Sequence, residues 1–281
     1  METTQLAQIV TDYYRTNKRD LPWRSPEKNG TFDPYKIMVS ELMLQQTQVS
    51  RVIPKYEQFL VAFPSVAALA QAELSEVLAL WLGLGYNRRA KFLHQAAQVA
   101  HDLYHDLIPS TYTELITLPG IGPNTAGAIL SYAYNQKVAF IETNIRTVFL
   151  HHCFTGQVDI SDSQILPLVE QAVNNLSELS PREWYWALMD YGVHLKATQP
   201  NPSRRSKHHT KQSKFEGSRR QMRGAILRQL AKQHMTLKQL HDATAEYQNQ
   251  SIDSVLEDLQ IEGLIHANDE LYVLGSDTII K

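Results

Sequence analysis

From Leu118 the chain reads Leu-Pro-Gly-Ile-Gly-Pro-Asn-Thr-Ala-Gly-Ala-Ile-Leu, and no other stretch constrains the fold as tightly. An apolar helix has to stop at Leu118, because Pro119, Gly120 and Gly122 break it, and Thr125, Ala126 and Gly127 open a second helix. The pattern is a helix-hairpin-helix. Glycine at Gly120 and Gly122 is expected to take backbone angles closed to other residues, so that the hairpin presents bare N–H groups at the start of the second helix. Such groups suit an anion, most naturally a phosphate. An ordinary helical corner without a ligand satisfies the same residues. A short connector, Asn135 to Lys137, and an apolar run, Val138 to Ile141, then lead into Glu142-Thr143-Asn144 and Arg146. A carboxylate about one helix beyond a phosphate clamp lies near the sugar of a bound nucleotide.

With 281 residues the chain can form one large domain or two modest ones with real cores. Its 27 basic and 29 acidic residues nearly cancel, so any attraction for a polyanion has to be local. The single cysteine, Cys153, excludes an intramolecular disulfide and any multi-cysteine metal or cluster site. The opening Met-Glu-Thr-Thr-Gln-Leu lacks a basic segment leading into an apolar core, and no run approaches the roughly 20 apolar residues of a membrane span. A cytoplasmic protein is expected, nucleoid-associated if bacterial, without a membrane partner.

Leu6, Ile9, Val10, Tyr13 and Tyr14 have helical spacing, and a loop follows to Asp33. Within it Trp23 reads first as a packing anchor and second as a nucleic-acid contact. Pro34 then opens a helix that buries Tyr35, Met38, Val39, Leu42 and Met43. Glu41 sits on this helix among apolar neighbours. It is either a desolvated carboxyl able to hold and donate a proton near neutral pH, or a carboxylate paired with an arginine or a helix N-terminus. The turn from Trp81 to Arg89 ends in an aromatic and two cations, so Tyr86 could stack on a base while Arg88 or Arg89 meets phosphate. An interhelical turn with a core tyrosine and solvated arginines is the plainer reading. His151-His152-Cys153 invites a metal, but consecutive helical residues point about 100° apart and do not converge.

Residues 201–217 read as a basic linker. Across 203–223, Arg204, Arg205, Lys207, Lys211, Lys214, Arg219, Arg220 and Arg223 face only Glu216, a density that attracts a polyanion or merely keeps a linker solvated. Residues 218–281 read as a small winged helix: Met222 to Leu230 helical, Thr236 and Ser251 capping two further helices, and a two-stranded wing turning at Asn268-Asp269. The third helix carries Asp253, Glu257, Asp258 and Glu262 with no lysine or arginine. Repulsion from phosphate makes packing or protein docking its expected role.

The hairpin followed by an acidic residue in a Glu-Thr-Asn setting resembles the helix-hairpin-helix DNA glycosylases, which usually have Asp where this chain has Glu142. Leu21-Pro22-Trp23-Arg24, the string Ser40-Glu41-Leu42-Met43-Leu44-Gln45-Gln46-Thr47-Gln48-Val49, and Gly83-Leu84-Gly85-Tyr86 are similar to the A/G-specific adenine glycosylases of the MutY type. The resemblance covers roughly residues 1–200. It implies an all-α, two-lobed glycosylase fold, with lobe 1 at about 30–137 and lobe 2 from 1–29 plus 138–200, carrying the small C-terminal α+β winged helix. Double-stranded DNA would cross the interlobe cleft and the target nucleotide would be flipped out.

The residue roles implied by the resemblance are specific. Glu41 protonates the departing adenine, and Glu142, oriented by Asn144, faces the sugar. Gln46 wedges into the base stack and Tyr86 contacts DNA. Gly120, Gly122, Asn124 and Thr125 grip the backbone, and their hairpin is a candidate site for a monovalent cation. Apart from the resemblance, their charge makes Arg88, Arg204 and Arg205 candidates to meet phosphate. Asn124 stands where strand-cutting relatives have a lysine, so no Schiff base forms and the activity is that of a monofunctional glycosylase. In most of the family the helix containing Leu188-Met189-Asp190-Tyr191-Gly192 leads into four spaced cysteines holding an iron-sulfur cluster. Here Lys196 replaces the first of them, so no cluster, metal or other cofactor is expected. The family's 8-oxoguanine-recognition domain has no counterpart either. The expected protein is a monomeric base-excision-repair enzyme acting on adenine opposite guanine or 8-oxoguanine. The alternatives are the same chemistry on another modified or deaminated base, or an inactive DNA-binding protein, with a protein partner for the winged helix left open.

Overall fold

Pro34, at the first position of its helix, and serine or threonine caps such as Ser65, Thr111 and Ser180 set where many of the helices begin. The computed structural model describes residues 1–210, 214–247, 249–268 and 270–275. Along the chain they form α1 Thr3–Asn17, α2 Pro34–Leu44, α3 Val49–Ala62, α4 Val66–Ala70, α5 Leu74–Trp81 and α6 Arg88–Tyr104. There follow α7 Tyr112–Leu115, α8 Pro123–Tyr132, α9 Thr143–His152, α10 Asp162–Asn174 and α11 Pro181–Thr198. The C-terminal segment adds α12 Arg219–Leu230, β1 Met235–Thr236, α13 Leu237–Ala243, α14 Ile252–Ile261, β2 Ile265–Asn268 and β3 Leu271–Leu274. The fold is all-α apart from this small sheet. Two units are present, Met1–Met38 with Ser110–Thr117 and Ile121–Lys211, and Val39–Pro109 with Leu118–Gly120 and Gln212–Lys281. The division differs from the lobes read from the sequence: residues 30–38, 110–117 and 121–137 join the first unit, and the C-terminal segment groups with 39–109.

In the first unit α1 buries Leu6, Val10 and Tyr14, and α9 lies against α11 so closely that only glycine fits at Gly192. A Cβ there would come 2.5 Å from the Asn144 carbonyl oxygen. Phe140 and Tyr185 rings meet with centroids 4.2 Å apart. Below them Asp190, at 2 % exposure, accepts from Arg19 Nε at 2.6 Å and from both terminal nitrogens of Arg24, at 2.8 and 2.9 Å. The Leu-Pro-Trp-Arg stretch, a 3₁₀ turn over Pro22–Arg24, is thereby tied to α11. Trp23 beside it is buried, in keeping with a packing anchor.

The basic connector is not a loose linker over its first part. Pro202–Arg205 forms a 3₁₀ turn, Ser203 is buried with its hydroxyl 2.5 Å from that of Thr147, and Ser206 bridges to Ile160 in parallel. Arg205, expected at phosphate, donates instead to the carbonyls of Leu150 at 2.6 Å and Phe154 at 2.5 Å, closing the exposed C-terminal end of α9. Arg204 is exposed. Lys211 lies outside the described residues.

In the second unit α6 packs on α4 and α5. The C-terminal segment has Ile226, Leu227, Leu240, Val255, Leu259 and Leu264 fully buried under an antiparallel sheet of order β1-β3-β2. Thr236 and Ser251 cap α13 and α14 as the sequence predicts, while α12 begins at Arg219, a turn earlier than the apolar spacing indicated. Asn268 ends β2, and Asp269, the other half of the expected wing turn, lies outside the described residues. The acidic α14 has a partner within its own segment: Arg219 donates to Asp258 at 2.5 Å and Arg223 to Glu262 at 2.5 Å. These cations pair two of the four acidic residues Asp253, Glu257, Asp258 and Glu262, and Lys91 of α6 donates to the Glu262 carbonyl at 2.9 Å.

Removing one partner of a buried, hydrogen-bonded ion pair leaves the other charge uncompensated, at a cost of about 3–5 kcal/mol. We therefore expect Asp190→Ala to lower the unfolding free energy by about that amount, measured by urea denaturation at neutral pH. An effect below about 1 kcal/mol, the usual worth of an exposed pair, would show that the pair does not hold the N-terminal stretch.

Candidate functional site

The last carbonyls of a helix have no partner within it, and at the end of α2 a single side chain supplies one. Arg89, in the first turn of α6, is only 8 % exposed. Its Nη1 donates to the carbonyls of Leu42 at 2.5 Å and Met43 at 2.9 Å. Its Nη2 donates to Thr47 Oγ1 at 2.9 Å and to the Gly85 carbonyl at 2.8 Å, and Nε reaches the Tyr86 carbonyl at 3.3 Å. The guanidinium also lies over the rings of Trp81 and Tyr86, 5.3 and 5.7 Å from their centroids. Burial pulls its pKa down to about 10, which leaves it charged at neutral pH. Arg89 is thus a structural clamp, whereas its neighbour Arg88 is exposed with its guanidinium 4.9 Å from the Phe92 ring centroid.

Between them these bonds hold two strained residues. Gln46 has φ +56° and Tyr86 φ +49°, left-handed conformations that cost a side-chain-bearing residue energy and that cluster at functional positions. Gln46 is exposed just beyond α2, and Tyr86 is 38 % exposed beyond Gly85. Thr47 links the two turns, donating to the Leu84 carbonyl at 3.0 Å. Glu41 lies one turn before the end of α2, half-buried between the buried Ser40 and Leu42.

The hairpin divides the labour between its glycines unequally. Gly120 has φ +78°, and a Cβ there would fall 2.7 Å from Phe92 Cβ, so glycine is required twice over. Gly122 has φ −87° and ψ 177°, extended backbone open to any residue, contrary to the reading from sequence. Its contribution is as the N-cap of α8, where it brings no side chain to cover the helix N-terminus, with Pro123 at the first position. Asn124 and Gly122 are exposed there, and Thr125 is half-buried. Asn124 Oδ1 accepts from the Ile141 N–H at 3.4 Å, which ties α8 to the residue before Glu142.

Glu142 is the N-cap of α9, yet its carboxylate makes no cap bond to the helix that it precedes. It is half-buried, and burial raises its pKa from the ordinary 4.5 to about 7, with the Arg146 charge pulling the other way. Arg146 itself is held by Asp162 through two bonds of 2.6 and 2.7 Å. Asn144, two residues on, has a buried Oδ1 with no hydrogen-bond partner. A desolvated carboxyl and, two residues on, a buried unsatisfied amide oxygen are each costly in a free protein, and such costs concentrate where a ligand relieves them. Glu142, Asn144 and Asn124 lie in the first unit, and Gln46, Tyr86 and Arg89 in the second.

The donors present do not suit an iron-sulfur cluster. The only cysteine, Cys153, follows α9, Lys196 is half-buried on α11, and the turn beyond is pinned by Arg205. His152 pairs with the Tyr191 hydroxyl at 3.0 Å, and among the described residues no group of three or more His, Cys, Asp or Glu is placed to hold a metal. No helix of the described residues is long and apolar enough to cross a membrane.

Arg89 was missed as a clamp in the sequence, although a signal existed. It heads the stripe 89, 93, 96, 97 and 100, all buried on α6, while Arg88 lies off that stripe.

Residues 39–173 match the family described as HhH-GPD superfamily base excision DNA repair protein. The adenine DNA glycosylase of Buchnera aphidicola subsp. Baizongia pistaciae is 35% identical over 195 residues, 69% of this chain and 53% of that protein. That of Mycolicibacterium smegmatis is 45% identical over 139 residues, 50% of this chain and 46% of its own. The chain thus spans about half the length of these relatives. In fold, a thermostable thymine-DNA glycosylase superposes with a TM-score of 0.61 at 23% identity, covering 71% of this chain and 90% of the other. Motif and likeness agree over this region, and residues 39–173 belong to the HhH-GPD superfamily of base excision DNA repair proteins.

Proposed function

We propose that the protein is a monofunctional DNA glycosylase that removes adenine from double-stranded DNA, opposite guanine or 8-oxoguanine. What supports the reading is the family match over residues 39–173, within which Glu41, Gln46, Tyr86 and Glu142 all fall, together with the 35 to 45% identity to adenine DNA glycosylases. A base inside a duplex is out of reach, so the target nucleotide is flipped out while Gln46 and Tyr86 fill the gap. Glu41 gives its proton to a ring nitrogen of adenine. The bonding electrons of the glycosidic bond then leave with the base, and positive charge develops at the anomeric carbon. The Glu142 carboxylate, oriented by Asn144, stabilises that charge until water adds and loses a proton. Asn124 supplies no amine, so the product is an intact strand with an abasic site. No step calls for an iron-sulfur cluster.

The test is a panel of duplexes, each with one suspect base, incubated with the full chain and then treated with alkali. Breaks at adenine opposite guanine or 8-oxoguanine are expected, with none before alkali and no borohydride-trapped complex. Breaks only at another base would reassign the substrate, and binding without breaks would make the protein a non-enzymatic DNA binder. Glu41→Gln and Glu142→Gln should each slow single-turnover excision by at least about 100-fold. Full activity in both would refute the roles assigned to them.

The raised pKa of Glu142 has consequences of opposite sign for activity and stability. Only the ionised form serves the sugar, so excision should rise with pH through about 7. Because the folded protein keeps this proton to higher pH than the unfolded chain, its stability should fall between about 4.5 and about 7 and level off above. Glu142→Gln removes that loss, and thermal melts should show it more stable than wild type at pH 8 with no gain at pH 4.5. Equal melting temperatures at both pH values would show that the carboxyl is not destabilised by its surroundings.

A further inference from the structure

Tyr86 is gripped at both ends, and the two grips come from different parts of the second unit. At the backbone end Arg89 Nε donates to its carbonyl at 3.3 Å. At the phenol end Arg220 Nη1 donates to its Oη at 2.9 Å, with the guanidinium 5.9 Å from the ring centroid on its own account. Arg220 belongs to the first turn of α12, in the C-terminal segment, 134 residues along the chain. Two of its companions on that helix, Arg219 and Arg223, are fixed to Asp258 and Glu262 of the acidic helix and the residue after it. The same Glu262 takes Lys91 of α6 on its carbonyl, and α6 is the helix that carries Arg89. The contacts close a ring: Tyr86 to Arg89, along α6 to Lys91, across to Glu262, on to Arg223, along α12 to Arg220, and back to Tyr86.

We propose that the C-terminal segment acts in DNA engagement as the positioning element for Tyr86, with Arg220 as its positioning residue. A tyrosine at φ +49° pays for its backbone conformation and will relax unless its surroundings hold it. Arg89 fixes where the chain turns, but a bond to the carbonyl does not by itself restrict the freedom of the ring's two side-chain torsions. A donor at the far oxygen removes that freedom. The segment thus serves recognition through the N-terminal turn of α12. Its acidic α14 does not face phosphate for this purpose but anchors the helix that does the positioning. The partner is duplex DNA, and the inference rests on the reading of Tyr86 as a DNA contact.

The experiment compares full-length wild type, Arg220→Ala, Arg220→Lys, Tyr86→Phe and the double variant Arg220→Ala with Tyr86→Phe. Each is titrated with a duplex holding a non-hydrolysable abasic analogue opposite 8-oxoguanine, and single-turnover excision is followed on the adenine duplex. We expect Arg220→Ala and Tyr86→Phe each to weaken binding by about tenfold, or 1.4 kcal/mol. The double variant should be no worse than either alone, because both delete the same bond. Arg220→Lys, which keeps a donor, should recover part of the loss, and thermal melts of all variants should stay close to wild type. A loss in the double variant equal to the product of the single losses would overturn the proposal, since Arg220 would then act apart from Tyr86. So would an Arg220→Ala protein indistinguishable from wild type while wild type binds and excises. Wild type that neither binds nor excises fails at the level of the proposed function instead, and takes this inference with it.

Discussion

A buried guanidinium that serves several carbonyls at once is the constraint on which the second unit depends. Arg89 closes the end of α2, the turn after it and the glycine turn before α6 with one planar group. Lysine offers a point charge on a flexible stem and could not reach these acceptors together. Burying the cation is costly, as its lowered pKa records, and the return is geometric. Gln46 and Tyr86, two residues in conformations that they would not choose, are presented from turns that cannot drift independently. The strain is local and the restraint is shared.

The first unit meets a comparable demand with different chemistry. There a carboxyl is withdrawn from water at a helix N-terminus without capping the helix, and a neighbouring amide oxygen is left without a partner. Glu142 and Asn144 are held by close backbone packing, since α11 approaches α9 where Gly192 has no side chain. Asn124 binds the segment from the other side. Preorganisation in one unit comes from a charged hub, and in the other from tight steric contact around groups that await a ligand.

Much of this was legible in the sequence, and what was not has a common cause. The buried face of α2 and the caps Thr236 and Ser251 follow from spacing and local backbone chemistry, which a short window contains, whereas the helix expected to run to Leu118 already ends at Leu115. Gly120 was read correctly because the hairpin demands its positive φ, while Gly122 was credited with the same need and proves to be an ordinary N-cap. Arginines were the harder case. Arg205, Arg219 and Arg223 looked like cations seeking phosphate, and each instead meets a carbonyl or a carboxylate tens of residues away. Counting charge along a segment cannot reveal such pairings, although the acidic helix α14, expected to pack rather than meet phosphate, supplies two of the partners. The division into units was also hidden, because it falls inside α2, between Met38 and Val39, where helical periodicity runs on unbroken.

The ion pair of Asp190 with Arg24 joins residues 166 positions apart, and its second cation, Arg19, lies farther still. During synthesis the first two dozen residues leave the ribosome long before α11 exists, and Arg19 and Arg24 do not meet Asp190 until it emerges. Closure across so long a loop is slow compared with forming the helices themselves. The Leu-Pro-Trp-Arg stretch is thus among the last parts of the first unit to be locked, and a nascent chain halted before Asp190 would carry that turn without its tie to α11.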